Sequence, residues 1–257
     1  MKNEGLNLIP LTSIPMIEKG DELAKIIARA ISEDSITLSQ GVILVVAQKV
    51  VSKAEGQLVD LQTIEPSNEA IALAEATGKD ERLVELILQE SRVILRSQAG
   101  VIITEHRTGH ILANAGIDQS NVGGFADYDS VLLWPRDPDD SARVLSEELS
   151  ETFGFPIPVI INDSLGRPWR VGTVGFSIGS WGLEPIWDQN GELDLSGRAM
   201  QNTSPAMADG IAAAASLVQG ETNQGLPIVL VNGCALRPAS SATSRDLLRP
   251  HHLDMFR

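Results

Sequence analysis

Val42-Ile43-Leu44-Val45-Val46 is followed, after Ala47, by the polar segment Gln48-Lys49-Val50-Val51-Ser52-Lys53-Ala54-Glu55-Gly56. The apolar run is short, unbroken and rich in β-branched side chains, which predicts a strand that is buried on both faces. Ligands in α/β sheets bind preferentially just beyond the carboxyl ends of strands. We therefore expect a ligand site here, with Lys53 as a point charge suited to a phosphate. The alternative is a lysine that is solvated at the surface.

Helices and strands are predicted on both sides of this run. The helices open at Gly20-Asp21-Glu22, at Pro66-Ser67-Asn68 and at Asp137, and two more span residues 81–91 and 207–218. The strands span residues 101–104, 111–114, 158–161, 171–178 and 228–231, and Thr108-Gly109 forms a hairpin turn between the first two.

The fold class predicted from this order is α+β, or mixed α/β, with mixed sheets flanked by helices, because strands and helices do not alternate strictly. Neither a G-x-G-x-x-G fingerprint nor a Walker A sequence is present, so the prediction excludes a Rossmann or P-loop domain. We expect one domain over residues 1–257, with a polar and loosely ordered tail from about residue 239.

Composition excludes several classes of function. The net charge of -14 opposes binding to nucleic acid and to anionic membrane surfaces, both of which select an excess of Lys and Arg. No apolar run is long enough for a membrane span, and no signal peptide is recognisable. Cys234 is the single cysteine, which excludes an intramolecular disulfide and favours a packed thiol over a nucleophile. The expected location is the cytoplasm.

Two further polar segments carry acidic residues. In Asn114-Ala115-Gly116-Ile117-Asp118-Gln119-Ser120-Asn121, the glycine allows a tight turn and Asp118 could be an oxygen ligand for Mg²⁺ or Mn²⁺. An Asx-turn is the structural alternative. In the segment from Asn162 to Arg170, a strand is predicted to end in Asp163-Ser164, a carboxylate–hydroxyl pair suited to Mg²⁺. Arg167 and Arg170 follow, and their guanidinium groups suit bidentate binding of a phosphate or carboxylate. A purely structural turn is the alternative, but it does not easily explain both arginines.

The fourth segment, Gln219-Gly220-Glu221-Thr222-Asn223-Gln224-Gly225-Leu226, lies between a predicted helix and a predicted strand. Its glycines would let the backbone approach a ligand, and Glu221 could be a further oxygen ligand. Alternatively, Gly220 caps the helix and the remaining residues form a surface loop.

Two patterns point to other chemistry. Gly175-Phe176-Ser177-Ile178-Gly179 matches the G-x-S-x-G nucleophile elbow of serine hydrolases, and His251-His252 follow in the chain order of a triad. An elbow needs a helix directly after the serine, and the residues after Gly179 break one, so a glycine-rich packed strand is favoured. His106 and His110 lie on the predicted hairpin, where we expect surface or turn residues and not a metal site.

Taken in order, these segments resemble the coenzyme F420-0:L-glutamate ligases, also called gamma-glutamyl ligases. The resemblance rests on residues 45–56, 114–121, 162–170 and 174–179, and it spans about residues 8–233. Several separated motifs in the correct order are more specific than any one motif. The glycine-rich strand that mimics a hydrolase elbow is an ordinary part of that family.

The resemblance implies a specific reaction. It implies a homodimer that joins L-glutamate to the lactyl carboxylate of coenzyme F420-0, with GTP as co-substrate, two Mn²⁺ or Mg²⁺ ions and a monovalent cation. Asp118, Asp163, Ser164 and Glu221 would hold metal. We predict that the catalytic residues are Asp118, Asp163, Arg167 and Arg170, with the two arginines binding anions. The residues implied at GTP are Thr12, Ser13, Ile14, Pro15, Gln48, Lys49, Lys53, Asn121, Gln219, Gly220, Glu221, Thr222, Asn223, Gln224, Gly225 and Leu226.

Three other functions remain open at this point. A related amide ligase could act on another carboxylic acid with the same phosphate machinery. A serine hydrolase would use Ser177 as its nucleophile. A regulatory module would bind nucleotide and metal without turnover.

Overall fold

The computed structural model describes residues 5–122 and 129–255, and this part of the chain contains ten strands and six α-helices. The strands are β1 (Asn7–Pro10), β2 (Ile43–Ala47), β3 (Leu58–Asp60), β4 (Ser91–Gln98), β5 (Val101–His106), β6 (Ile111–Ala113), β7 (Ser130–Leu132), β8 (Val159–Arg167), β9 (Arg170–Trp181) and β10 (Ile228–Asn232). The helices are α1 (Leu23–Glu33), α2 (Gln48–Ala54), α3 (Asn68–Thr77), α4 (Glu81–Gln89), α5 (Pro138–Phe153) and α6 (Met207–Gln219). No helix in the described ranges has the length and apolar character needed to cross a membrane.

A five-stranded mixed sheet with the strand order β1-β10-β2-β8-β9 forms the centre of the structure. β2 and β8 pair in parallel, and the other three neighbouring pairs are antiparallel. The carboxyl ends of β1, β2 and β8 therefore share one edge of the sheet with the amino end of β10. The predicted α+β class with mixed sheets is confirmed.

The run at residues 42–46 is buried on both faces of this sheet, as its composition predicts. Leu44 and Val46 pack in a core with α1 and α5 on one face. Ile43 and Val45 pack against α6 on the other face, where the half-buried Cys234 also lies. A strand covered on both sides needs apolar residues at every position, which explains why the run does not alternate.

Strand β8 differs from its predicted bounds and extends beyond its neighbour. Ala47, the last residue of β2, pairs with Asn162, and β8 continues to Arg167. The backbone of this extension pairs with β9, where Asp163 lies opposite Phe176 and Ser164 opposite Gly175. The prediction that the strand ends at Asp163-Ser164 is wrong, because the hairpin partner supplies a ladder for the polar residues.

The glycines of β9 allow helices to approach it closely. A Cβ atom at Gly175 would lie 2.6 Å from the carbonyl oxygen of Ala212 in α6. A Cβ atom at Gly179 would overlap the carbonyl oxygen of Pro138 in α5. Such close backbone approaches tolerate only glycine, so the G-x-S-x-G pattern has a packing explanation.

The hydrolase alternative is wrong in its geometry. Ser177 is buried in the middle of β9, which continues to Trp181, so no helix follows the serine. Its hydroxyl is paired with the hydroxyl of Ser244 at 2.5 Å, while His251 lies 3.3 Å from Glu105. A nucleophile elbow instead exposes its serine on a strand-to-helix turn.

The C-terminal tail packs onto the core more closely than its polar composition predicts. Ser244 is fully buried, and its backbone N–H donates to the carboxylate of Asp139 at 3.0 Å. The expectation of a loosely ordered tail is therefore wrong for the 3-10 turn Ser244–Leu247. Composition fails here because a few specific contacts attach the tail: two hydrogen bonds of Ser244 and the packing of Leu247 against the core.

Two smaller sheets lie beside the central one. β4, β5 and β6 form an antiparallel sheet, and a core beside it contains the apolar faces of α3 and α4. The predicted turn is confirmed, with Gly109 at φ +98°. The predicted helix over residues 81–91 ends at Gln89. β4 was missed because none of its residues is buried and its half-buried and exposed positions do not alternate regularly. α2 was also missed; it fills most of the polar segment that follows β2.

His106 and His110 are buried, and their assignment to the surface is wrong. His106 is fully buried and His110 is 8% exposed. Their ring centroids lie 4.9 Å and 5.4 Å from that of Trp134, and the hydroxyl of Thr108 bonds both rings. The hairpin folds its turn back onto the core, which a local reading of the turn does not reveal. Burial lowers the pKa of His110 to about 4.

Replacing Gly179 by alanine should destabilise the protein, because the new Cβ meets backbone that cannot move without shifting α5. We expect Gly179→Ala to lower the free energy of unfolding by about 1–3 kcal/mol. Gly166→Ala is the matched control, since a Cβ there meets nothing within 4 Å. Denaturant titration measures both, and equal midpoints for the two variants would contradict the packing explanation.

Stability should fall on acidification below about pH 6.5, because the unfolded state protonates His110 while the folded state resists protonation down to about pH 4. The stability that the neutral ring contributes is complete above the unfolded pKa. Its loss reaches the order of 3 kcal/mol near pH 4. His110→Gln should flatten this pH dependence, although part remains because burial also lowers the pKa of His106. The variant His252→Gln, at an exposed position, should retain the wild-type dependence; an unchanged slope in His110→Gln would sink the explanation.

Candidate active site

Four of the predicted segments converge on one edge of the central sheet. Residues 12–15 follow β1, the segment beginning at Gln48 follows β2, and Asp163 is the first residue of β8 beyond its pairing with β2. Residues 219–226 lead into β10, whose amino end lies at the same edge. The convergence follows from strand direction, because β1, β2 and β8 all run toward this edge.

Two acidic side chains lie together on the α5 side of the edge. Lys49 Nζ lies 2.6 Å from Asp118 Oδ2, and the side-chain amide of Gln48 donates to the same oxygen. Trp134 Nε1 donates to Asp163 Oδ2 at 2.8 Å, and the backbone N–H of Ser164 donates to Asp163 Oδ1 at 2.8 Å. Asp118 is fixed by its backbone pairing with Leu132. The arrangement brings the predicted residues Asp118, Asp163, Gln48 and Lys49 into one cluster.

The environment of Asp163 disfavours its charged form. Burial, and after it the nearby charge of Asp118, raise the pKa of Asp163 to about 7. Lys49 and the indole of Trp134 act in the opposite direction without cancelling the shift. A carboxyl held in this way gains from any additional positive charge that approaches it.

The opposite face of β8 carries a second polar group. The hydroxyl of Ser164 donates to Glu221 Oε2 at 3.0 Å. Asn162 and Gln219 exchange two side-chain hydrogen bonds of 2.8 Å and 3.1 Å. Successive residues of a strand face opposite sides, so Asp163 and Ser164 have different partners. Across the described ranges, no three His, Cys, Asp or Glu side chains are grouped as a ready-made metal site.

The loop between α6 and β10 lies over this edge. Asn121 Nδ2 donates to the carbonyl oxygen of Thr222 at 2.9 Å, and the N–H of Thr222 donates to Gln224 Oε1 at 2.9 Å. Gly220 has φ +71° at the end of α6, as the capping alternative predicts. Residues 221–225 are exposed and Leu226 is half-buried. The buried Gln219 uses its amide on Asn162 and on the carbonyl of Pro227.

Lys53 lies in the last turn of α2, and residues 12–15 follow β1. Lys53 follows Lys49 by one turn of α2; burial lowers its pKa, and the charge of Lys49 lowers it further. The hydroxyl of Ser13 donates to Asp34 at 2.6 Å, and the backbone N–H of Thr12 donates to the same carboxylate at 2.6 Å. The hydroxyl of Ser13 is the main cause of a lowered pKa at Asp34. Ile14 is half-buried against the core and Pro15 is exposed.

Arg167 and Arg170 lie at the far tip of the β8–β9 hairpin. They are paired across its turn, and Arg167 donates to the carbonyl oxygen of Gly172 at 3.0 Å. Arg167 lies four positions beyond Asp163 along the extended strand, a span of roughly 13 Å. The hairpin therefore does not bring these arginines into the acidic cluster.

Trp134 was missed by the sequence analysis, although it anchors the cluster. It is fully buried, and a Cβ atom at Gly116 would lie 2.5 Å from its Nε1. Gly116 has φ +70°, so glycine serves both the turn and the space for the indole. In sequence, Trp134 belongs to an ordinary apolar run, and only folding directs its N–H toward Asp163.

Comparison with known proteins identifies close relatives. The family model described as F420-0:Gamma-glutamyl ligase matches residues 12–233. Three similar curated proteins are each named Coenzyme F420:L-glutamate ligase. The protein of Methanothermobacter thermautotrophicus is 46% identical, with 98% of this chain and 99% of that protein covered. Those of Methanopyrus kandleri and Methanocaldococcus jannaschii are 42% and 39% identical, and the coverage of each chain is 94% or more.

Replacing Trp134 by phenylalanine should raise the pKa of Asp163 further, because the indole N–H favours the charged carboxylate. The loss of one hydrogen bond to a charged group corresponds to an increase of about one pKa unit. Carboxyl-carbon NMR of the metal-free protein would measure it, and thermal unfolding would check that the fold persists. An unchanged or lower pKa in Trp134→Phe would exclude this role of the indole.

Proposed function

This chain belongs to the F420-0:gamma-glutamyl ligase family and is a ligase of coenzyme F420 biosynthesis, and we propose that it joins L-glutamate to coenzyme F420-0 with GTP and a divalent metal. The family model covers residues 12–233, which contain the whole acidic cluster. The single observation that carries the proposed chemistry is the pair Asp118 and Asp163 beside Lys49 at the sheet edge.

The donor chemistry of this edge fits a divalent cation. Asp118 and Asp163 offer carboxylate oxygens on one face of β8, and Ser164 and Glu221 offer a hydroxyl and a carboxylate on the other. Mg²⁺ and Mn²⁺ prefer such hard oxygen ligands. The raised pKa of Asp163 also indicates a carboxyl that lacks sufficient positive charge. We propose these four residues as the ligands, with two ions in the complete site.

The proposed reaction has two balanced steps. The lactyl carboxylate of F420-0 attacks the γ-phosphorus of GTP, and GDP leaves, which forms an acyl phosphate. The amine of glutamate then attacks the acyl carbon and loses a proton, and inorganic phosphate leaves with the formation of an amide bond. Bound divalent cations would neutralise the phosphate charges and orient the transferring group.

The residues of the chain would bind and position the substrates. Lys49 and Lys53 lie on one side of α2, where their charges can meet nucleotide phosphates inside a protein of net charge -14. The exposed loop at residues 221–225 and the segment at residues 12–15 would contact GTP beside them. Trp134 would hold Asp163 in a fixed orientation through its N–H.

Arg167 and Arg170 lie away from the acidic cluster, so we propose a separate role for them. At the hairpin tip they would meet an anionic part of a substrate that extends outward from the edge. We further propose that the protein forms a homodimer, binds a monovalent cation and is located in the cytoplasm.

The direct test is ligation with purified protein, F420-0, L-glutamate, GTP and Mn²⁺, read by mass spectrometry. A metal-dependent glutamyl adduct with release of GDP would support the proposal, and the adduct mass would count the glutamates. GTP consumption only with other carboxylic acids would indicate a related amide ligase. GTP and metal binding without turnover would indicate a regulatory module and refute the proposed activity.

Asp118→Asn and Asp163→Asn should each lower the rate of ligation on the order of 100-fold or more, because each removes a charge that is proposed to hold metal. The matched control is Asp188→Asn at an exposed position, which should retain the wild-type rate. Thermal unfolding separates loss of activity from loss of fold. Full activity in Asp163→Asn would reject the metal assignment.

A further inference from the structure

A cleft of about 490 Å³ is lined by arginines and lies away from the acidic cluster. Its walls come from β4, the β5–β6 turn, the residues before α5 and the C-terminal tail. The arginines that line it are Arg92, Arg107, Arg136, Arg245 and Arg249. The acidic side chains among the lining residues are Glu105 and Asp137. An excess of positive charge at one place contrasts with the net charge of -14 for the chain.

Three of the arginines are held by acidic partners. Arg107 Nε lies 2.8 Å from Glu90, and its guanidinium also donates to the carbonyl oxygen of Arg136 at 2.6 Å. Arg245 lies 2.5 Å from Asp137, and Arg92 lies 3.6 Å from Glu105. These contacts fix the walls of the cleft before any ligand arrives, which reduces the entropy that binding would lose.

The guanidinium groups of the other two arginines have no partner among the residues that the structure describes. Within the described ranges, the side chains of Arg136 and Arg249 are exposed and form no ion pair or hydrogen bond. Both unpaired cations line the same cleft, so an anion bound there could contact both of them. The C-terminal tail packs closely against the β5–β6 turn in this cleft. A Cβ atom at Gly109 would lie only 2.9 Å from the side chain of Leu248.

The geometry points to a second anion site in this cleft, which binds a small, multiply charged oxyanion of the phosphate class through Arg136 and Arg249. Guanidinium groups bind phosphate oxygens in a bidentate manner, and several of them together suit more than one negative charge. Trp134 and the two buried histidines stand between this cleft and Asp163, so the site does not overlap the acidic cluster. The inference does not depend on the proposed function.

Calorimetric titration of metal-free protein with inorganic pyrophosphate tests the site, and citrate tests whether carboxylates serve equally well. We expect pyrophosphate to bind the wild type, and to bind more weakly as salt is raised. The double variant Arg136→Gln/Arg249→Gln should weaken binding by about tenfold or more. Arg143→Gln removes the same charge from the surface of α5 and should change the affinity less than about twofold.

Two results would overturn the site. One is no detectable pyrophosphate or citrate binding to the wild type at millimolar concentration. The other is equal binding by the double variant and the wild type, which would assign the anion to another place such as the lysines of α2. Tighter binding of citrate than pyrophosphate, lost in the double variant, would retain the site and change the ligand class to carboxylates. Thermal unfolding of each variant shows that the fold is intact.

Discussion

The parallel pairing of β2 with β8 determines where the polar groups of the candidate site lie. Ala47 pairs with Asn162, so the residues after β2 and the extension of β8 lie side by side at the same edge. Lys49 and Asp163 are consequently neighbours although more than a hundred residues separate them in sequence. A shift of one residue in this register would turn Asp163 toward α6 and remove it from Trp134 and Asp118.

Charge compensation is the second constraint on the site. Asp163 is half-buried and lies close to Asp118, and both desolvation and charge repulsion oppose its ionisation. Lys49, Gln48 and Trp134 compensate only in part, which leaves the cluster receptive to cations. In the function proposed above, bound metal and a few lysines would let this acidic edge accept anionic substrates. In the arginine-lined cleft, the proposed anion would instead be bound by side chains alone.

Elements that depend on local sequence signals were predicted, whereas features that depend on residues distant in the chain were missed. The buried strand at residues 42–46, the helix after Asp137 and the hairpin at Thr108-Gly109 were predicted, because periodicity and capping are local signals. The extension of β8 and the packing of the tail were not, since both depend on partners distant in the chain. The burial of His106 and His110 was missed for the same reason: their partner is Trp134.

The sequence by itself determined the fold class, the family and the four segments that supply the candidate site. Motif order and hydrophobic pattern are sufficient for these, because they reflect local preferences repeated along the chain. Only the tertiary structure decided which of the predicted residues meet. It groups Asp118, Lys49 and Asp163, separates Arg167 and Arg170 from them, and adds Trp134. Strand register and helix packing fix those distances, and both arise from contacts between residues that sequence spacing does not relate.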